Sequence, residues 1–340
     1  MKALTLTGVK QFEIIEKPVP KADEKKSVIK VSHAGICGSD LHLIWNWGYG
    51  AGTGFVIGHE FSGVIADTVP GSGFEIGDRV VAMEIDSCLE CDACKAGKHQ
   101  LCPHVLEGGP GIGSDGGYAE YVAVRSDMIR KLPDNVSLLQ GAMVEPVAIS
   151  MHGACVAGVK EGSTVLVTGG GAIGLFAAAC AKALGAKYVA LTEVHEGRIK
   201  IAEEADFVDE VFNGADENLL ETLKEKVPGG FDVTLECSGN GIAATNGLHS
   251  LKVGGHQALI AYGPAPTYET MTFVNSEWHI DGSLFFTIPE FESVIRFMSE
   301  GKINVEKYAA VISMEEAQKT FEGLSDGSCP AVKYVMDMSK

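Results

Sequence analysis

The chain has 340 residues, 46% hydrophobic and 21% charged, which is enough for two domains that each bury a core and excludes fibres, stapled miniature scaffolds and disordered tails. Asp and Glu number 45 against 27 Lys and Arg, and the net charge of -18 repels nucleic-acid phosphates and anionic membrane surfaces alike. Nine cysteines, an odd number with four of them between Cys88 and Cys102, favour a metal site over a disulfide framework and suit a reducing cytoplasm.

Met1 to Val19 alternates polar and apolar residues and carries Lys10, Glu13, Glu16 and Lys17, so it lacks the apolar core of a signal peptide. Short alternating segments punctuated by glycine follow at Ser27 to His33, Phe61 to Thr68, Asp78 to Ala82 and Gly117 to Val124; they predict an antiparallel, barrel-like β domain. The pattern changes near Glu145-Pro146. Beyond it, apolar runs at Thr164 to Thr168, Tyr188 to Thr192, Phe231 to Glu236 and Gln257 to Tyr262 alternate with helical stretches near 173–184, 197–205 and 242–251. Strands apolar on both faces and separated by helices predict a parallel sheet covered on both sides. The uncharged stretch 162–181 is long enough to raise a membrane span, but its three consecutive glycines and its Ser163, Thr164 and Thr168 fit a strand, a turn and a buried helix better. After Thr287 two amphipathic helices are predicted, one with Phe291, Val294, Ile295 and Met298 inward, the other opening on a capping box at Ser313 and Glu316.

Gly169-Gly-Gly171-Ala172-Ile173-Gly174 is a G-x-G-x-x-G that follows a predicted strand and opens a predicted helix. Gly169 permits the tight turn, Gly171 lets the backbone approach a pyrophosphate and Gly174 lets the helix pack on the strand. The helix start at Ala172 and Ile173 then faces the anion. The next strand ends at Glu193, nineteen residues past Gly174, where a carboxylate accepts from a ribose 2′-hydroxyl and repels a 2′-phosphate; this predicts NAD rather than NADP, with Arg198 near the adenosine.

Cys88, Cys91, Cys94 and Cys102 form C-x₂-C-x₂-C-x₇-C, a set that can close a tetrahedral shell around a structural Zn²⁺. An iron–sulfur cluster is the rival, because Cys102-Pro103 echoes bacterial ferredoxins, although the last spacing is seven rather than three. A second, dispersed set comprises Cys37, His59, Glu60 and Glu145. Thiolate, imidazole and carboxylate are all zinc ligands, and three of them with an open position make a catalytic site; any one alone also fits an ordinary core or surface residue.

These segments together resemble the zinc-containing medium-chain alcohol and polyol dehydrogenases over nearly the whole chain. Gly35-Ile-Cys-Gly-Ser-Asp-Leu-His42, Gly58-His-Glu-Phe-Ser-Gly63, Gly77-Asp-Arg-Val80, the four-cysteine lobe, Gly116-Gly-Tyr-Ala-Glu-Tyr-Val122 and the Gly169 fingerprint occur in the family's order. Glu145, where classical alcohol dehydrogenases carry a cysteine, is similar to the sorbitol, threonine and butanediol dehydrogenase branch. The resemblance implies an α/β protein. A GroES-like catalytic domain is expected at 1–147 and 288–340, with its structural zinc lobe at about 84–104, and a Rossmann domain at 148–287. It further implies two zinc ions per chain, Cys37 and His59 as catalytic zinc ligands with Glu60 and Glu145 sharing the carboxylate positions, and Ser39 then His42 as proton relay. Cys237-Ser238 and Tyr262-Gly263 would line the cofactor with backbone.

The implied activity is reversible hydride transfer between a secondary alcohol, such as a polyol, and NAD. The loop with Trp45, Trp47 and Tyr49 follows the relay residues and is expected either to wall a bulky or cyclic substrate or to pack structurally. A hydroxysteroid or other apolar-ring alcohol is the alternative substrate, and a catalytically silent zinc- and NAD-binding interaction protein the alternative of another class. Gly282 to Thr287 resembles the strand by which family members pair across a two-fold axis, so a homodimer or homotetramer is expected in the cytoplasm, with no nucleic-acid or membrane partner.

Overall fold

A computed structural model describes the chain apart from Trp47, Tyr49, Gly50 and Ala51, with Leu43 and Ile44 described by their backbone alone. In chain order the first strands are β1 (Lys2–Gly8), β2 (Gln11–Glu16), β3 (Lys26–Gly35), β4 (Glu60–Asp67), β5 (Arg79–Ala82), β6 (Tyr121–Arg125) and β7 (Ile129–Lys131). Then come β8 (Thr164–Thr168), β9 (Tyr188–Glu193), β10 (Glu210–Asn213), β11 (Phe231–Glu236), β12 (Leu251–Leu259) and β13 (His279–Gly282), and the chain closes with β14 (Ala309–Ile312) and β15 (Lys333–Asp337).

Two compact units result: Met1–Glu145 with Thr287–Glu300 and Val305–Lys340, and Pro146–Phe286 with Gly301–Asn304. Residues 301–304, expected with the first unit, group with the second.

In the first unit the strands run β14-β15-β3-β4-β5-β7, and β6 also pairs with β3. β3 is ten residues long, so one of its edges serves two partners: β6 along Lys26 to Lys30 and β15 along His33 to Gly35. Its other edge carries β4, with Gly35 opposite Glu60. Val28, Ile29, Val31 and Ala34 are buried from β3, Phe61 and Ile65 from β4, and Val80, Val81 and Ala82 from β5.

In the second unit β10-β9-β8-β11-β12-β13 form one parallel sheet. β8 lies at its centre and the order reverses there, so a crevice opens beyond the ends of β8 and β11, which is where such sheets bind ligands. Leu166, Ala190, Phe212, Leu219, Leu223, Val227 and Phe231 make one continuous buried cluster.

Two expectations change. The sequence reading missed β10 and the helix Leu219–Lys226, because a four-residue edge strand starting at Glu210 and an eight-residue helix with only Leu219, Leu220 and Leu223 apolar carry little periodic signal. The strand expected over Gly282 to Thr287 in fact ends at Gly282: Phe285 takes a positive φ of 51° and Phe286 is buried, so that segment turns into the core.

Candidate functional site

The β3–β4 ladder builds the dispersed metal set. Gly35 closes β3 opposite Glu60, which opens β4, and the two residues beyond Gly35 bring Cys37 beside His59 and Glu60. Only glycine fits at 35, since a Cβ there would lie 2.1 Å from Glu60 Oε2. One donor atom each from Cys37, His59 and Glu60 falls within 4.8 Å of the others. Glu145, at the start of the helix Val144–Val156, stands outside that group.

Residues around the set fix its orientation. Asp40 is fully buried; its Oδ2 accepts from the Cys37 backbone N–H at 3.0 Å and from the Tyr118 hydroxyl at 2.7 Å. Its Oδ1 lies 3.7 Å from His59 Nδ1, and neither atom has a hydrogen-bond partner. Ser39 Oγ lies 3.4 Å from Nε2 on the other side of the ring. Burial opposes charge on His59, but Cys37 and Asp40 outweigh it and push its pKa up to about 10, so a cation must displace a proton to bind there. Burial also raises the pKa of Glu145 and of its carboxyl neighbour Glu84; Glu84 pushes Glu145 up further, whereas the hydrogen bond from Glu145 favours the ionised form of Glu84.

Lys333 reaches Glu60 from β15: Nζ donates to Glu60 Oε1 at 2.6 Å and to the Ile36 carbonyl at 2.9 Å, and it also contacts Oε2. Burial disfavours this ammonium, yet Glu60 and Cys37 outweigh burial and raise its pKa. Sequence reasoning missed Tyr118, Glu84 and Lys333. A lone charge inside an apolar run, as at Glu84 and Lys333, was the available signal.

Thiolate, imidazole and carboxylate donors with an orphaned buried His59 Nδ1 fit zinc, because a cation on Nε2 fixes the tautomer that donates to Asp40. His42 is exposed on the turn Asp40–Trp45. Trp45 does not face a substrate: it is 1% exposed and packs on Phe12 and Phe321 with ring centroids 5.3 and 5.5 Å apart, so it is a core residue. Trp47 and Tyr49 lie outside the described residues.

The cysteine lobe discriminates between zinc and iron–sulfur. Cys91 Sγ is 3.5 Å from Cys94 Sγ, and Cys88 Sγ is 3.9 Å from it. These bracket the edge of about 3.8 Å that a tetrahedron with Zn–S bonds of about 2.3 Å requires, whereas thiolates on separate irons of a cluster stand farther apart. The backbone N–H groups of Glu90 and Cys91 bring the Cys88 thiol down to about 6, which prepares a thiolate for the metal. No disulfide joins any of the nine cysteines.

In the second unit Gly169 turns the chain with φ +98°, and a Cβ on Gly174 would lie 1.8 Å from its carbonyl oxygen. A Cβ on Gly171 would meet nothing within 4 Å, so the space in front of the helix Ala172–Ala183 is open, and no side chain caps the N–H groups at Ala172 and Ile173. That open, donor-rich cradle fits a pyrophosphate. Glu193 is organised in advance: Oε1 accepts from Val194 and His195 N–H at 2.7 and 2.9 Å, Oε2 from Gly170 N–H at 2.8 Å, and Arg198 Nη1 stands 3.8 Å away. Cys237 N–H is bonded to the Thr168 carbonyl, and Ser238 bonds the buried Glu236 through N and Oγ, a carboxylate the sequence reading passed over. Gly263 packs against the Gly239 backbone, and Tyr262 is 94% exposed.

Residues 23–134 match the alcohol dehydrogenase GroES-like domain family and residues 172–300 the zinc-binding dehydrogenase family. A sorbitol dehydrogenase of Halalkalibacterium halodurans is 31% identical over 99% of both chains. The chain belongs to the zinc-binding alcohol dehydrogenases. Among solved structures, the 2R,3R-butanediol dehydrogenase of Bacillus subtilis superposes with a TM-score of 0.88 at 26% identity over 99% of each chain. A protein described only as a zinc-binding dehydrogenase from Sinorhizobium meliloti 1021, bound to NADP, does so at 0.87 and 28%, again over 99% of each. As a zinc-binding alcohol dehydrogenase this chain is an oxidoreductase with GroES-like and Rossmann-like domains.

Proposed function

We propose that the chain oxidises a secondary alcohol of the polyol class with NAD, reversibly, using the Cys37, His59 and Glu60 set. The convergence of those three donors within 4.8 Å beside the Ser39 hydroxyl carries this reading, because a silent interaction protein has no use for a relay hydroxyl next to an open ligand set. Bound zinc would supply a Lewis acid that acidifies the substrate hydroxyl, and NAD the hydride acceptor. Ser39 takes the released proton, and His42, exposed three residues further on, hands it to solvent. Asp40 keeps His59 in register. Glu145, tied to Glu84, serves as an outer carboxyl rather than as a direct ligand, and Cys88, Cys91, Cys94 and Cys102 hold the structural zinc.

Glu193 supports NAD, since three backbone donors keep its negative charge where a 2′-phosphate would lie. Glu193→Ser should erode discrimination against NADP, and equal use of both cofactors by the wild type would overturn that choice. The sheet ends at β13, whose free edge offers pairing with a second copy across a two-fold axis; sedimentation at working concentration should show at least a dimer. No helix among the described residues is long and apolar enough to cross a membrane, and nine cysteines that form no disulfide suit the cytoplasm.

The deciding experiment assays sorbitol, xylitol, 2,3-butanediol and hydroxysteroids with NAD, before and after chelator dialysis. Turnover of polyols that is lost with the metal supports the reading. A preference for hydroxysteroids replaces the substrate class, and no turnover of any alcohol at full metal occupancy overturns it.

A further inference from the structure

Lys333 is a charged side chain with only 4% of its surface exposed, placed by an apolar strand beside the ligand set, and the mechanism above gives it no task. Its position follows from the sheet: Val335 of β15 pairs with Gly35 of β3, and Gly35 in turn pairs with Glu60 of β4, so three adjacent strands bring the lysine from the far end of the chain to this carboxylate. Gly35 has no Cβ, which lets the Glu60 carboxylate and the Lys333 stem meet over its backbone; the Cβ of any larger residue would lie 2.1 Å from Glu60 Oε2 and 3.2 Å from Lys333 Cε. The ammonium donates to Oε1 and to the Ile36 carbonyl and also contacts Oε2, so both oxygens of Glu60 rest on one cation that is itself anchored to the backbone. At the other two donors the neighbours differ: Asp40 accepts from the Cys37 backbone and faces the Nδ1 side of His59, while Nε2 meets the Ser39 hydroxyl at 3.4 Å and the ring also pairs with the Cys37 side chain.

We propose that Lys333 is a positioning residue that keeps Glu60 as a displaceable ligand, holding the carboxylate in an ion pair that competes with the metal so that substrate can take the open position. The inference rests on the metal centre proposed above. Two effects act in the same direction. A carboxylate paired with an ammonium is a weaker donor to a second cation, and a positive charge behind it lowers the affinity of the pocket for any divalent ion.

The test follows zinc release to a chelator from the holoenzyme, counting the pool that disappears in Cys37→Ser, together with the visible spectrum of the cobalt-substituted protein. Lys333→Met should slow release by about tenfold or more, the scale on which outer partners tune metal sites, change the cobalt spectrum, and lower kcat more than it changes KM. Lys333→Arg, which keeps the charge, should restore release, spectrum and kcat toward wild type. In a Glu60→Gln background, Lys333→Met should alter release by less than about threefold, since the carboxylate through which it acts is gone; this doubly neutral variant also folds without a lone buried charge if Lys333→Met alone does not. Unchanged or faster release in folded Lys333→Met, or an equally large effect in the Glu60→Gln background, overturns the proposal. A wild type that carries only the lobe zinc overturns the metal-centre reading instead.

Discussion

The two binding regions are built on opposite plans. The dinucleotide cradle is local: Gly169 to Gly174 make the turn and helix start, and Glu193 follows one strand later, with every donor to its carboxylate supplied by Gly170, Val194 or His195. The metal centre is assembled from distant pieces, with Glu60 and Lys333 separated by 273 positions and Asp40 and Tyr118 by 78. A local site is fixed as soon as its strand and helix form, whereas a dispersed one depends on a completed sheet and on buried partners that no short motif records. The centre should therefore be sensitive to single changes in residues that touch no ligand, and the cradle should not.

The largest expected effect divides the two metal sets themselves. Cys37→Ser should lower kcat/KM by at least on the order of a thousandfold, beyond the roughly 10–100-fold typical of outer partners, with the melting temperature little changed. Cys91→Ser removes a corner of the closed lobe and should act the other way round, lowering the melting temperature and releasing one zinc while the remaining folded enzyme still turns over. Measuring zinc per chain and melting temperature for both variants checks the division; brown protein containing iron and labile sulfide would break it.

Next come the buried supports of the centre. Tyr118→Phe deletes the donor to Asp40 Oδ2 and should cost about 1–3 kcal/mol of stability, because a buried carboxylate loses a partner. Asp40→Asn removes the negative charge 3.7 Å from His59 Nδ1 and should lower zinc affinity by roughly 10–100-fold. If both variants matched the wild type in zinc affinity and melting temperature, the dispersed plan would need no supporting shell and the comparison would fail.

That contrast also explains what could be read in advance. The glycine fingerprint and the four-cysteine lobe are contiguous, so spacing alone carried their geometry, and Thr168 to Gly174 emerges as strand, turn and helix. Cys37, His59 and Glu60 were legible only as residue types, since Gly35 opposite Glu60 is a register fact. No motif marks Lys333, Tyr118 or Glu84 as site residues: a lone charge in an apolar run sets Glu84 and Lys333 apart, but only burial and the partners the fold supplies give the three their place. Trp45 decides between two alternatives that the sequence left open. Its nearness in sequence to His42 suggested a pocket wall, but the turn folds it onto Phe12 and Phe321, and the partner that buries it lies near the other end of the chain.

On the local side, the glycines separate folding from binding. Gly174→Ala pushes a Cβ to 1.8 Å from the Gly169 carbonyl and should damage both stability and NAD binding. Gly171→Ala places its Cβ in open space, so stability should stay within about 0.5 kcal/mol while the dissociation constant for NAD rises roughly tenfold or more, as the methyl group fills the approach of the pyrophosphate. Calorimetric melting and NAD titration of the two variants test this. A Gly171→Ala protein that binds NAD like the wild type would show that the cradle is not where the pyrophosphate sits.

The smallest effect belongs to a charge in the sheet away from either site. Asp232 accepts from Thr164 N–H at 2.7 Å and Thr164 Oγ1 at 2.8 Å, and Lys252 contacts its other oxygen, so the start of β11 is tied to the start of β8. Burial would raise its pKa, but Lys252 and Thr164 outweigh burial and hold the carboxyl below its ordinary value. A depressed folded pKa means that the unfolded chain binds the extra proton first as acid is added. The contribution of Asp232 is therefore complete above the unfolded value of about 3.9 and fades as pH falls from there through the folded value. Asp232→Asn should cost about 1 kcal/mol at neutral pH, modest because the group is partly solvated, and should flatten the acid limb of stability while leaving kcat per folded molecule unchanged. Urea melts of wild type and variant from pH 3 to pH 7 measure both quantities; a difference that stays constant down to pH 3 would mean that the carboxylate contributes through shape rather than charge.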